Sequence, residues 1–289
     1  MKKLIVLSIA FCLIFLGCEK EGVYNPDKKI KRVYTQEDSY KELKSEWTWE
    51  KNLLKKIEYY WGGSTPEYDE RYVYEKNQLI RVDLSFGYYW KVSYKNNLYD
   101  KVELLTPEGM SFLSVKFTYE KKKISEINLT FFDYDDYIAN IPSGGFMSGL
   151  FSPELMQGMQ KMASKSKSKA DSYTYKISFT YDKNNIKERV LGYTEPGYSW
   201  KFTYKFEKYD NKTNPLYRFY TQPYVGEGSF ESFVGSKNNP LEIIVIEEDG
   251  DYYSDRWTIT YDYSYDGKFP TEVIRREDSW RTTTFYEYY

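Results

Sequence analysis

One phrase recurs along this chain. Phe179 to Val190 reads FTYDKNNIKERV, Phe117 to Ile127 reads FTYEKKKISEI, and Tyr72 to Val82 reads YVYEKNQLIRV. Further copies run from Trp47 to Leu53 and from Val92 to Val102, and looser ones start at Phe202 and Ile259. The anchor aromatics Trp49, Tyr74, Tyr94 and Tyr119 lie 25, 20 and 25 residues apart, and Tyr204 follows Tyr181 by 23. Recurrence on that scale announces a repeat architecture.

Within each copy the period is two. Trp90, Val92 and Tyr94 alternate with Lys91 and Ser93, and Trp200, Phe202 and Tyr204 alternate with Lys201 and Thr203. Side chains of a strand point alternately to opposite faces, so each segment has one aromatic face and one wet face. After each anchor comes a polar clump, such as Glu75-Lys76-Asn77-Gln78, Asp182-Lys183-Asn184-Asn185 or Tyr265-Asp266-Gly267-Lys268. Asn, Asp and Gly favour tight turns. Alternation then resumes in Val82, Leu84, Phe86 and in Ile127, Leu129, Phe131. Each phrase is therefore a β-hairpin.

Consecutive hairpins predict an all-β antiparallel meander of roughly a dozen strands, occupying one domain over 31–289. A sheet that long must curl, split or close to cover its apolar face. The expectation is one strongly curved or barrel-like sheet, with a two-sheet sandwich as the alternative. Trp90, Trp200 and Trp257 share the phase of Val92, Phe202 and Ile259 and are expected on the buried face. A membrane-spanning barrel would need apolar outward bands. Here the wet faces carry Lys, Arg and Glu, which argues against spanning despite the aromatic ending Phe285-Tyr286-Glu287-Tyr288-Tyr289. The repeated pattern resembles the tyrosine-aspartate repeats of bacterial cell-surface proteins. It is similar too to Tyr-rich outer-membrane lipoproteins of Bacteroides-like bacteria. That likeness implies architecture and carries no activity.

The amino-terminal end speaks of location. Lys2 and Lys3 precede an apolar run from Leu4 to Leu16, too short to span a bilayer and of the length of a secretory signal. It ends in Phe15-Leu16-Gly17-Cys18 before Glu19-Lys20-Glu21. Gly17-Cys18 resembles the lipobox of bacterial lipoproteins, although Phe15 and Leu16 depart from its commonest residues. The resemblance implies a signal peptide over 1–17, cleavage before Cys18, and acylation of that cysteine. Two or more acyl chains suffice for stable anchoring. Residues 18–30 would then be a lipidated cysteine and polar tether, and the acidic-lysine cluster after Cys18 resembles tags that direct such proteins to the outer face of the outer membrane. Cys12, the only other cysteine, would leave with the signal.

Residues 133–172 interrupt the rhythm. Ser152-Pro153-Glu154 is a helix start, and Leu155, Met156, Met159 and Met162 fall on one helical face. The sequence predicts a short amphipathic helix over 153–165, serving as a cap on the sheet or as a mobile lid or partner element. Asp133, Asp135 and Asp136 lack the spacing and glycine of a calcium loop and read as a solvated acidic turn.

The chain contains no histidine, which removes the commonest general base and imidazole metal ligand. No phosphate loop or nucleophile elbow is present. Without Lys2 and Lys3 the basic residues number 39 against 43 acids, so the mature charge is about −4 and gives no footprint for nucleic acid. Paired carboxylates, as in glycosidases, are the one simple catalytic route left. No metal or cofactor is expected. The expectation is a non-enzymatic binding or scaffolding lipoprotein of the outer membrane, periplasmic or surface-facing. Its partners would be the membrane, through the anchor, and a glycan or another envelope protein. Tyr59, Tyr60 and Trp61, beside Gly62-Gly63, are the candidate ligand-contact aromatics.

Overall fold

The computed structural model describes residues 21–37, 39–132, 172–195, 198–219, 235–250 and 253–289. Cys18, the acidic turn at Asp133, Asp135 and Asp136, and the helix expected around Leu155, Met156, Met159 and Met162 lie outside the described residues, among which there is no helix. The first eight strands are β1 (Ile30–Glu37), β2 (Tyr40–Glu50), β3 (Leu53–Tyr59), β4 (Tyr68–Glu75), β5 (Gln78–Leu84), β6 (Tyr89–Lys95), β7 (Leu98–Leu105) and β8 (Ser111–Glu120). The second eight are β9 (Lys123–Phe132), β10 (Ser172–Asp182), β11 (Asn185–Glu195), β12 (Tyr198–Tyr209), β13 (Pro240–Asp249), β14 (Tyr253–Asp266), β15 (Phe269–Glu277) and β16 (Trp280–Tyr288).

All sixteen form one closed antiparallel barrel. Val33 of β1 faces Ser45 of β2 on one side and Tyr286 of β16 on the other, so the first and last strands seal the sheet. The sandwich is thereby overturned: closure covers the apolar face and removes both edges at once. Sixteen strands replace the dozen expected, because strands such as β1 and β13 carry no copy of the phrase. The interruption leaves the wall intact, since β9 and β10 pair directly, Phe132 opposite Ser172.

The six hairpin turns at one end hold residues at positive φ, one each at Lys51, Lys183 and Gly267 and two in each of the other three. The pairs are Lys76 and Asn77 (50° and 64°), Asn96 and Asn97 (54° and 63°) and Lys121 and Lys122 (48° and 65°). Such turns match the twist of their strands, but lysine has to be held there at a cost in backbone energy. Two residues past each turn the second strand gains an extra residue: Tyr74 pairs with Leu79 while Val73 pairs with Arg81, leaving Ile80 bulged. The same slip leaves out Lys55, Asp100, Ser125, Lys187 and Thr271. Bulges bend a strand and increase its twist, and a set of six at one level curls the meander until it closes.

Each bulge also resets which side chains face inward. The inward positions after a turn are spaced by three, as in Leu54 and Ile57, Leu79 and Val82, Tyr99 and Val102, and Ile124 and Ile127, all buried. Where a bulge interrupts the ladder, an anchor side chain from the neighbouring hairpin meets the first inward residue's carbonyl. The hydroxyl of Tyr94 donates to the carbonyl of Leu79 at 2.6 Å, Tyr181 to Ile124 at 3.0 Å, Tyr209 to Ile186 at 2.7 Å and Tyr288 to Pro270 at 2.8 Å. Burial raises the pKa of all four phenols, so they stay neutral donors. Trp49 donates to Ile30 in the same manner, at 2.8 Å.

Trp90 and Trp200 are fully buried, as their phase implies, and Leu104, Leu113, Ile127 and Phe131 pack beside them. Phe86, predicted to share the inward face of Leu84, lies instead in the β5–β6 loop and is exposed; its strand ends at Leu84. The outer wall is ionic: Lys56 pairs with Glu58 at 2.7 Å, Arg71 with Asp69 at 3.0 Å, Lys101 with Glu103 at 2.8 Å and Lys201 with Glu248 at 2.6 Å.

The barrel's ends differ. At one end lie the two-residue turns, crossed by residues 21–29 and by a cap formed from 210–219 and 235–239. Asn214 ties the cap together, its side-chain amide donating to the Ser236 carbonyl at 2.8 Å while its Oδ1 accepts from the Leu216 N–H at 3.0 Å. The residues expected to act as a tether are thus packed from Glu21 onward. The other end carries the longer loops, including 60–67 and 106–110.

Replacing one donor leaves a buried carbonyl unsatisfied at a cost of about 1–3 kcal/mol. Tyr94→Phe and Tyr181→Phe are each expected to lower stability by about that much in urea melts. Being in separate hairpins, their effects should add. Recasting Lys121-Lys122 as Asn-Gly should raise stability by about 1 kcal/mol.

Candidate functional site

Not all of the lumen is filled. Along β13–β16 and β1 the inward side chains include threonines, which are smaller than the aromatics and branched aliphatics opposite. A cleft of about 490 Å³ remains there, within the usual range for a small-ligand site. Thr282, Thr284, Tyr261 and Tyr286 line its wall, and Pro215 and Leu216 of the cap form its floor. Its mouth, at the loop end, carries Glu37, Lys44, Glu277 and Trp280, and the Trp280 side chain is 63% exposed. Arg275 pairs with Glu277 on the same wall. Trp257, expected to be buried, is only partly so and faces the cleft. Its indole N–H is itself shielded and has no hydrogen-bond partner. Hydroxyls, one ion pair and two indoles in one cleft form a surface suited to polar ligands that also have flat apolar faces.

The three aromatics singled out from the sequence fall elsewhere. Tyr59 is turned into the barrel wall, stacked on Tyr68 at 4.3 Å and 8°. Tyr60 is buried. Trp61 is half-buried with its ring 5.6 Å from Tyr68, so it braces the 60–67 loop. Glycines next to a tryptophan signalled the loop correctly, while the cleft's own residues gave no sequence signal. Trp280 follows a turn, but nothing in its surroundings distinguishes it from the other tryptophans.

Three ionisable groups enter the buried interior: Glu70 in phase with Tyr68 and Tyr72, Glu247 in phase with Ile243 and Val245, and Arg189, which only the bulge turns inward. Glu70 of β4 is fully buried between Tyr68 and Tyr72. Its Oε2 accepts from Tyr72 at 2.5 Å and from Tyr59 at 3.3 Å, while Oε1 has no partner. Loss of hydration pushes its pKa up to about 7, against the opposing effect of the two phenols. Arg189 is buried at the position that Val82, Val102 and Ile127 occupy in other copies, its guanidinium 4.1 Å from the Tyr204 ring centre. Glu247 is the third. Among the described residues no group of three acidic or cysteine side chains is placed to hold a metal ion.

A closed sixteen-strand meander invites comparison with known barrels. The fold is that of porin-like proteins. Over 91% of this chain and 99% of the other, it superimposes on a porin-like protein from Bacteroides vulgatus with TM-score 0.56 at 11% identity. A second porin-like protein, from Bacteroides uniformis, matches over 93% and 100% with TM-score 0.51, again at 11% identity. No family model matches the chain, and no curated protein does. At that identity the likeness is one of fold alone. The wall chemistry here differs from a lipid-facing one, since a Lys or Arg at the midplane of a bilayer costs about 2–4 kcal/mol and most strands of this wall carry an outward Lys or Arg, such as Arg71, Lys91, Lys176 and Lys201. No helix among the described residues is long and apolar enough to cross a membrane.

The folded pKa of Glu70 exceeds the unfolded one, so the folded state holds a proton that the unfolded state releases. Its carboxyl therefore destabilises the fold progressively as pH rises from about 4.5 to 7. Glu70→Gln should be more stable than the parent at pH 8 by up to about 3 kcal/mol. The two should converge near pH 4.5 in denaturant melts across that range.

Proposed function

We propose that the chain is an outer-membrane lipoprotein whose barrel is a non-catalytic binding module standing in water beside the membrane, anchored through Cys18. The observation that carries the binding role is the cleft, with its threonine-lined wall and with Trp257 and Trp280 in its lining. The ionic outer wall supports a water-facing barrel, and the lipobox-like Gly17-Cys18 supports the anchor. A glycan is the ligand class that this lining suits best, because sugar rings stack on indoles while their hydroxyls take up Thr, Arg and Glu partners. Scaffolding of another envelope protein is the alternative within the same class.

A second reading has its own observation. Glu37 and Glu277 both border the mouth beside Trp280, and two carboxyls across a cleft are the equipment of a glycosidase. Glu277 is already engaged by Arg275, which suits orientation of a ligand better than proton transfer.

A glycan-array and hydrolysis screen of residues 19–289 separates these readings. Retention of one glycan class without turnover is expected, with Trp280→Ala weakening it about tenfold and leaving the melting temperature unchanged. Turnover abolished by Glu37→Gln would replace binding with catalysis, and an array with no retained glycan would leave scaffolding. For the anchor, an alkyne fatty acid fed to cells should label the parent chain, and Cys18→Ala should lose both the label and membrane attachment.

A further inference from the structure

The two ends of the barrel differ in chemistry as well as in loop length. At the turn end the outermost side chains are lysines: Lys51, Lys76, Lys121, Lys122, Lys183 and Lys268 are all exposed. Among the described residues none of these six enters an ion pair, whereas Lys28 and Lys55 just below them pair with Asp266 and Glu50. Acids are present and exposed, but Glu50, Glu75, Glu120, Asp182 and Asp266 sit at the first position of five of the six turns, one residue before the tips, and the sixth turn begins with Lys95. Between the turns opens a pocket of about 200 Å³, bordered by Lys121, Lys122, Lys123 and Arg218 with Glu21. The loop end, by contrast, exposes Tyr40, Phe86, Met110, Tyr253 and Trp280.

The amino-terminal segment is fixed to the lysine end. The Glu21 N–H donates to the Asn97 carbonyl at 3.1 Å, and the Leu79 N–H donates to the Gly22 carbonyl at 2.9 Å. Glu21 Oε2 accepts from the Tyr99 N–H at 2.7 Å and from the Tyr119 hydroxyl at 2.6 Å. Tyr24 is buried against Trp47 and Phe219, its hydroxyl on the Pro215 carbonyl at 2.6 Å. Cys18 precedes Glu21 by three residues, and three residues reach at most about 11 Å. That is close to the screening length of about 8 Å at physiological ionic strength.

We propose that the turn end is a membrane-docking face, on which the lysine crown lies against anionic phospholipid headgroups while the cleft mouth points away from the bilayer. The inference rests on acylation of Cys18, the anchor reading given above. An acyl chain and a cluster of cations reinforce one another at a membrane surface. Here covalent reach dictates that the cationic end is the one brought down. A headgroup phosphate fits the pocket beside Lys121 and Arg218 by size and sign.

The test uses the full-length lipoprotein, purified from membranes and reconstituted in vesicles. These are phosphatidylcholine alone or phosphatidylcholine with about 30% phosphatidylglycerol. Fluorophores go on Asn184→Cys or Lys268→Cys at the turn end, and on Ser64→Cys or Ser279→Cys at the loop end, with a quencher on the lipid headgroups. At least threefold stronger quenching of the turn-end probes is expected, and more of it in the anionic vesicles. Reversing Lys76, Lys121, Lys122 and Lys183 to Glu should abolish the anionic preference without shifting the melting temperature. Equal quenching at both ends, stronger quenching at the loop end, or indifference to lipid charge overturns the proposal. Fatty-acid labelling of the same preparation separates the causes. Labelled protein without asymmetry defeats the docking face alone, whereas unlabelled protein defeats the anchor and the docking face together.

Discussion

The structure depends on a hydroxyl placed where a strand is broken. A bulge two residues past every turn gives the sheet the curvature that closes it, but it also takes a carbonyl out of the ladder. Leu79, Ile124, Ile186 and Pro270 would each carry an unsatisfied acceptor inside the barrel were it not for Tyr94, Tyr181, Tyr209 and Tyr288. An unpaired buried carbonyl costs more than an ordinary hydrogen bond returns. Phenylalanine would fill the same volume and leave that cost standing. This is the physical reason that Tyr stands at these four positions and not Phe: the anchor must be apolar along its ring and a donor at its tip. At one of the seams where the pattern changes, Tyr119 reaches Glu21 instead, and the same carboxylate takes the Tyr99 N–H. The amino-terminal segment has become part of the repeat's own hydrogen-bonding system.

How much of this was legible follows from what period-two alternation can and cannot carry. The hairpins, their turns and the burial of Trp90 and Trp200 came from spacing alone, because a strand's two faces are written directly in its sequence. The bulges were written as well, as the spacing of three in Leu54 and Ile57 or Leu79 and Val82, yet alternation on either side conceals them. Missing them is what hid Arg189, which reads as one of several polar residues after a turn until the added residue moves it inward. Closure was harder still. It depends on β1 meeting β16, and the 30–37 stretch, IKRVYTQE, contains no copy of the phrase. The cleft was illegible for a different reason. It arises where the repeat's large side chains are replaced by Thr282 and Thr284, and an absence of volume has no motif.

A barrel's topology by itself says little about its solvent. Strand number and pairing are set by backbone geometry, while the medium is set by which face carries the charge. Here the inside is apolar apart from the cleft and a few polar residues such as Glu70 and Arg189, and the outside is a lattice of Lys, Arg, Glu and Asp. Cross-strand pairs of that kind contribute only about 0.2–1 kcal/mol each in water, so their stabilising role is small. Their larger effect is to cover the wall with charge, which the core of a bilayer disfavours.

A barrel with a water-facing wall meets its surroundings chiefly at its ends, and the hairpin rule makes those ends unlike. Two-residue turns need left-handed residues, for which asparagine is suited and lysine is tolerated, and at their tips neither is buried. The turn end is therefore short, polar and rich in lysine as a consequence of its geometry. The opposite end has no such constraint on loop length, so it can carry the 60–67 loop, the insertion after β9 and exposed rings such as Trp280. Pro215 and Leu216 of the cap floor the cleft, and its rim residues Glu37, Lys44, Glu277 and Trp280 lie at the far end from Glu21. The lysine-bearing tips and the rim of the cleft are in this way assigned to opposite ends by the same alternation of tight turn and free loop that the repeated phrase imposes along the chain.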